Sequence, residues 1–265
     1  MKNQYALVTG ATSGIGLEIA RSLAQRKYNL VLVARREEQL SQVANELRND
    51  FTINVEVCPA DLADPKAPNN IYDYCKSLNL NVDILINNAG YALPRQFHKT
   101  PMQDEEDCLR VLGISVIALT KVFLSDMLEQ GNGKIMIVSS VAAFAPPSTI
   151  QVLYGPVKTF MNRFSDGINI NYKHRGVTST AVCPGYTVTG FHTASGTQEQ
   201  MDNVPKFMKL DAKVVAEEGL DAMFKGKRLS IPSLRYKVIV FLIKYASSLL
   251  NLFSNQLSGG RYKKN

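Results

Sequence analysis

The sequence is poor in the residues that mark metal and disulfide chemistry. Its four cysteines (Cys58, Cys75, Cys108 and Cys183) are widely spaced with no C-x-x-C pair, and its three histidines (His98, His174 and His192) are scattered. That spacing offers neither a metal-ligand set nor a disulfide framework, so no metal site is expected and a reducing cytoplasm is the expected compartment. No secretory signal pattern is visible, because Met1 to Gln4 lead directly into a strand-like run. Internal repeats and low-complexity linkers are absent, which at 265 residues points to one domain. An apolar fraction of 45% supplies a core and excludes a disordered chain.

Acidic residues are missing from one region. Lys225 to Asn265 holds nine basic residues and no acidic one, which leaves 21 basic and 23 acidic residues before it. The net charge of +7 therefore belongs to the tail. A nucleic-acid footprint needs a basic face on the folded body, so no nucleic-acid partner is expected.

What is present is a repeated alternation of strand and helix patterns. Tyr5 to Thr9 is an apolar run of strand length that enters Gly10-Ala-Thr-Ser-Gly14-Ile-Gly16, and an amphipathic helix pattern follows from Leu17 to Arg26. Strand, glycine turn and helix form the context of a dinucleotide-binding turn, although G-x-x-x-G-x-G stands in place of the commoner G-x-G-x-x-G. Glycines let the backbone turn and approach a pyrophosphate, which rests among unpaired N–H groups at the helix start. The second strand, Asn29 to Val33, ends at Ala34-Arg35-Arg36 with no acid. An acid there would hold a ribose 2′-hydroxyl, whereas an arginine accommodates a 2′-phosphate, so NADP(H) is expected over NAD(H). Further strands run from Ile53 to Cys58, Val82 to Ile86, Lys134 to Val138 and Val177 to Cys183. They end respectively at Asp61-Leu62, Asn87-Asn88-Ala89-Gly90, a Ser139-Ser140 pair and Pro184-Gly185. Pro101 to Glu129 reads as one long helix, acidic at its start. Gly190 to Leu210 carries few signals and reads as a cover over the substrate. Six such alternations argue for an α/β fold of the Rossmann type, a doubly wound parallel sheet in a single domain over residues 1–232.

The chemistry is expected at Val138 to Lys158. Residues four apart share a helix face, so Tyr154 and Lys158 look into the same space. A cation beside a phenol lowers its pKa and makes it a usable acid or base. The spacing alone is weak, since Tyr72 and Lys76 repeat it with no serine pair before them.

Taken in order, Thr9-Gly10-x-x-x-Gly14-x-Gly16, Asp61, Asn87-Asn88-Ala89-Gly90, Ser140, Tyr154-x-x-x-Lys158 and Pro184-Gly185 resemble the short-chain dehydrogenase/reductase family over about residues 4 to 225. The resemblance implies that Thr12, Ser13 and Ile15 line the pyrophosphate turn, that Arg35 with Arg36 holds the 2′-phosphate, and that Asp61 and Leu62 flank the adenine. It also implies that Asn88 lies along the cofactor and that Thr187 and Thr189 contact the nicotinamide end and the phosphates. In the implied reaction hydride passes from NADPH to a carbonyl carbon, Tyr154 donates the proton, Ser140 stabilises the oxygen, and Lys158 tunes Tyr154 and bonds the ribose. The substrate class is a ketone or aldehyde, expected to be lipophilic, such as an acyl chain or a steroid-like ring. A cofactor-binding regulatory or scaffold protein without turnover is the alternative. Two departures from the family pattern stand out. No asparagine occurs from Tyr91 to Gly131, and Leu112 occupies the place of a relay asparagine. Ser140 also lies 14 residues before Tyr154, one more than is usual, with Pro146-Pro147 in the intervening loop to absorb the extra residue.

The tail, residues 233–265, reads as a basic amphipathic C-terminal extension. Lys237, Lys244, Ser248, Asn251 and Asn255 fall near one face, against Val238, Ile239, Phe241, Leu242, Tyr245, Leu249, Leu252 and Phe253. Three readings stay open: a lipophilic lid on its own body, a peripheral contact with an anionic membrane, or a subunit contact. A homodimer or homotetramer is expected.

Overall fold

The computed structural model describes residues 4–146, 152–189 and 202–257, with side chains followed as far as Tyr245 in the last helix. Pro147, most of the expected substrate cover (residues 190–201) and the tail side chains of Ser248, Leu249, Asn251, Leu252, Phe253 and Asn255 lie outside the described residues.

Strands and helices alternate as the sequence pattern requires. In chain order they are β1 (Gln4–Thr9), α1 (Gly14–Gln25), β2 (Asn29–Ala34), α2 (Glu37–Phe51), β3 (Val55–Pro59), α3 (Ala67–Ser77) and β4 (Asn81–Asn87). There follow α4 (Met102–Leu109), α5 (Ser115–Gln130), β5 (Gly133–Val138), α6 (Tyr154–Tyr172) and β6 (Val177–Val182). Last come β7 (Thr187–Val188), β8 (Leu210–Asp211), α7 (Ala212–Phe224), β9 (Leu229–Ser230) and α8 (Leu234–Leu257). The main sheet is parallel, in the order β3-β2-β1-β4-β5-β6-β9, and β7 pairs with β8 in a separate two-stranded ladder. The strand order reverses between β1 and β4, and in such sheets that crevice takes the ligand.

Alternate strand residues face opposite layers. Ala6, Val8, Leu30, Leu32, Ile84 and Ile86 point into one core with α1, α2 and α7, while Tyr5, Leu7, Val31, Val33 and Leu85 point into the other with α3, α5 and α6. Burial on both faces is why the strands read as nearly continuous apolar runs. The helix ends follow local chemistry. Glu37 and Glu38 occupy the first turn of α2, where the helix field favours anions, and Gly131 in the left-handed region closes α5. Pro156 sits within the first turn of α6, where the missing N–H costs nothing.

The long helix expected over Pro101 to Glu129 differs in one respect. A π-helical turn, Arg110–Ile114, separates α4 from α5. The joined helix is long and apolar enough to cross a membrane, but half of its apolar window is buried inside this domain. Its Leu119, Phe123 and Met127 belong to the core under the sheet, so it serves as a core helix.

The second Tyr-x-x-x-Lys pair has a structural role. Tyr72 Oη donates to Asp126 Oδ1 (3.1 Å) and Lys76 Nζ to Asp126 Oδ2 (3.2 Å), tying α3 to α5 away from the carboxyl ends of the strands.

Candidate active site

The expected site residues follow strand ends on one side of the sheet, as connection geometry in a parallel sheet dictates. After β1, the Gly10 N–H bonds the Val33 carbonyl (2.8 Å) and the chain turns through Gly10 (φ 67°) and Gly14 (φ 57°) into α1. Thr9 holds this turn to the end of β4. Its hydroxyl donates to the Ile86 carbonyl (3.1 Å) and accepts the N–H groups of Asn88 (2.9 Å) and Ala89 (3.0 Å). The Asn88 amide completes the tie by donating to the carbonyls of Thr9 (2.8 Å) and Gly10 (3.3 Å). A side chain at Gly16 would overlap both the Gly10 carbonyl and the Asn88 amide.

This cradle fits a dinucleotide. The Ser13 side chain caps none of the first N–H groups of α1, and no acid stands in its first turn, so the helix start is available to an anion. Thr12 and Ile15 are partly buried beside it and Ser13 is exposed. Arg35 and Arg36 follow β2, both exposed and, among the described residues, in no salt bridge. Burial pushes the Tyr91 phenol, next to Gly90, up to about 12, and the Arg35 charge acts against it. Asp61 is exposed after β3, with Oδ1 accepting the Ala63 N–H (3.0 Å). The Leu62 side chain is buried in the core. Thr189 packs against Gly14, while Thr187 is buried and its Oγ1 donates to the Gly185 carbonyl (3.0 Å).

Ser140 follows β5 in extended conformation and caps a short 3-10 turn, its Oγ accepting the Ala142 N–H (3.1 Å). It is hydrogen-bonded to the phenol of Tyr154, the first residue of α6, so the longer Ser-to-Tyr spacing still brings the two together. Lys158, one turn on and 5% exposed, donates from Nζ to the Val138 carbonyl (2.9 Å), with Nζ 5.6 Å from the centre of the Tyr154 ring.

This geometry corrects one expectation. The Tyr154 phenol is raised to about 12, chiefly by burial, and the Ser140 hydrogen bond opposes the rise. Lys158 does not contribute to this shift, since a lysine that has lost its charge near pH 8 is neutral before the phenol titrates. Burial lowers Lys158 itself to about 8, with the neighbouring Cys183 and Cys108 thiols acting the other way. Tyr154 thus holds its proton throughout the neutral range.

Leu112 lies in the π-turn, buried with Cys108 and Val157 against Tyr154, Tyr91 and Leu93, and its side chain fills the space in front of Gly90. The position matched to a relay asparagine is therefore part of an apolar wall. Thr9 and Ser139 fall inside the sequence patterns, which gave them no role. Thr9 is the hub described above, and the Ser139 hydroxyl donates to the Lys158 carbonyl (3.1 Å), fixing α6 against the end of β5. A hydroxyl closing a buried strand before a glycine turn was the available signal for Thr9.

Thr9→Val preserves shape but leaves the Asn88 and Ala89 N–H groups without their acceptor. Urea denaturation should record a loss of about 1–3 kcal/mol; unchanged stability would count against the hub role.

Comparison with known proteins follows the same pattern. The sequence profile of the family described as short chain dehydrogenase matches residues 4–200. A very-long-chain 3-oxoacyl-CoA reductase from Anas platyrhynchos is 34% identical over 191 residues, and the Homo sapiens protein of that name is 31% identical over 192. Each alignment takes in 70% of this chain, which spans 60% of the length of either relative. Among solved structures, a short-chain dehydrogenase from Sphingobium yanoikuyae in complex with NADPH superposes with a TM-score of 0.82 at 26% identity, covering 99% of this chain and 98% of the other. With the profile running through the glycine turn, Ser140, Tyr154, Lys158 and Pro184-Gly185 in order, the chain belongs to the short-chain dehydrogenase family.

Proposed function

We propose that the protein is an NADPH-dependent reductase of a lipophilic ketone or aldehyde. The observation that carries this reading is the Ser140–Tyr154 hydrogen bond beside the buried Lys158, at the end of the sheet where the glycine turn lies. The names of the duck and human relatives favour an acyl-type ketone. Arg35 and Arg36, with no acid after β2, favour a 2′-phosphate on the ribose.

The bound nicotinamide would supply hydride to the carbonyl carbon. As the carbonyl oxygen gains charge, the Ser140 hydroxyl donates a hydrogen bond to it, and the Tyr154 phenol releases its proton to it. The C=O double bond becomes C–H and O–H, and the charge left on the phenolate lies near the Lys158 ammonium. That ammonium favours the phenolate only while it is protonated.

Tyr154→Phe should lower kcat by about 10²–10⁴-fold while NADPH binding stays close to wild type; full activity in the variant would reject the mechanism. In the free protein Lys158 loses its charge above about pH 8. kcat/KM for reduction should therefore be level below pH 8 and fall above it, and Lys158→Met should lose that limb along with most of its activity. Replacing Arg35 and Arg36 together by Ala should weaken NADPH binding by roughly tenfold or more, from the loss of charge-assisted bonds, and leave NADH binding unchanged. Equal weakening for both nucleotides would reject the 2′-phosphate reading. Wild-type protein that binds NADPH yet consumes none over ketones of graded chain length would favour the scaffold alternative.

We also propose that α8 rests on an anionic membrane surface. Tyr236 and Val240 bury one face of this helix, while Leu234, Val238, Phe241, Leu242 and Tyr245, at i, i+4, i+7, i+8 and i+11, are exposed opposite them. A surface helix of a soluble domain ordinarily turns polar residues outward. Arg235, Lys237 and Lys244 border the exposed stripe, with no acid after Lys225. Two copies meeting stripe to stripe would oppose like charges, whereas acidic lipids complement them. At low salt the protein should sediment with phosphatidylserine vesicles and not with phosphatidylcholine alone, and replacing Phe241 and Leu242 by Asp should release it. A wild type that stays in the supernatant with both would overturn the contact.

A further inference from the structure

Tyr236 stands in the first turn of α8, outside every motif, yet it is 2% exposed and belongs to the core above the sheet. Its ring packs against Gly185. A Cβ there would fall inside the ring, so that position admits only glycine while Tyr236 is present. The Tyr236 hydroxyl accepts the Tyr186 N–H (3.0 Å) and donates to the Met208 carbonyl (2.7 Å). Both partners lie in other segments: one in the turn that leaves β6, the other just before β8. The ladder beside them joins the same two segments, since the Leu210 N–H bonds the Tyr186 carbonyl (2.7 Å) and β7 pairs with β8.

The turn held in this way spans the candidate site. At its start the Pro184 carbonyl accepts the Val141 N–H (2.9 Å), next to Ser140. At its end the Thr189 side chain lies 2.8 Å from where a Gly14 Cβ would stand, against the glycine turn. Residues 184–189 thus bridge the serine loop and the phosphate cradle, and Tyr236 grips the middle of the bridge from outside. A phenylalanine would fill the same core volume. What only tyrosine adds is the hydroxyl, and both of its bonds go to this turn and its partner segment.

We propose that Tyr236 is a positioning residue for the dinucleotide site: through its hydroxyl, α8 fixes the 184–189 turn in the shape the cofactor requires. The role rests on the NADPH reading above. It makes the C-terminal helix a working part of the site and goes beyond a lid or a surface contact.

The test is Tyr236→Phe, which keeps the ring on Gly185 and removes both bonds. Three quantities are read: the NADPH Kd by fluorescence titration, amide exchange of the 184–189 peptide by mass spectrometry, and Tm. Faster exchange at 184–189 and a Kd raised about fivefold are expected, the loss corresponding to roughly one net hydrogen bond. Met127→Ala is the control. Met127 packs on Gly133 at the start of β5, the opposite end of the sheet, so it should lower Tm while leaving that exchange and the Kd at wild-type values. A Tyr236→Phe protein with wild-type Kd, or an equal rise in Kd in the Met127 control, would overturn the positioning role alone. A wild type that binds no nicotinamide nucleotide would overturn the functional reading, and this role with it.

Discussion

The site depends on one junction, where the reversal of strand order leaves a crevice between β1 and β4. A parallel sheet opens there because α1 and the segment after β4 leave toward opposite faces. Left to themselves, the two strand ends would diverge and expose unpaired backbone. Thr9 and Asn88 prevent that, a hydroxyl serving two N–H groups and an amide serving two carbonyls. Gly16 has no side chain because that tie and the Gly10 carbonyl fill the space. The glycine turn, the Asn88-Ala89-Gly90 segment and the helix start that would receive a pyrophosphate are held as one piece.

The catalytic side is arranged by burial more than by direct charge pairing. Tyr154 is desolvated and rests on Ser140, so its proton is held firmly. Lys158 is desolvated as well, and a backbone carbonyl is a weaker partner than an acid, so its charge is held less firmly than on a surface lysine. In this state its Nζ bonds the Val138 carbonyl and lies 5.6 Å from the centre of the Tyr154 ring. Leu112 adds an apolar wall beside both groups. Across the π-turn that carries it, the Ser115 hydroxyl bonds the Val111 carbonyl (2.9 Å), and such irregular turns often stand near functional sites.

The C-terminal helix has two apolar faces with different tasks. Its inner face enters the same core as α1 and α7, and its outer face turns apolar side chains to solvent. From composition these faces look like one broad stripe, because hydrophobicity does not state which side a body covers. Lys244 crossing the Phe144 ring (4.5 Å) and Tyr236 under Gly185 bring the helix against both the serine loop and the 184–189 turn. The first half of the helix therefore touches both segments that flank the candidate site.

Much of this protein was legible in the linear chain. Apolar runs bounded by turn residues marked the parallel strands, and the residues at their ends marked the ligand side, because in such a sheet every connection delivers its turn to the same edge. The glycine turn, Arg35, Ser140, Tyr154 and Lys158 all lie at that edge, and Tyr72 and Lys76, without a serine pair before them, bond Asp126 elsewhere. Tertiary structure alone decided the rest. Spacing put Lys158 on the face of Tyr154, but only packing turned its ammonium to Val138 and left the phenol high. Thr9, Ser139 and Tyr236 act through partners 19 to 80 residues away, and no local pattern names those partners. A sequence records which groups are available; the balance of desolvation against hydrogen bonding that sets their chemistry exists only once the chain has closed around them.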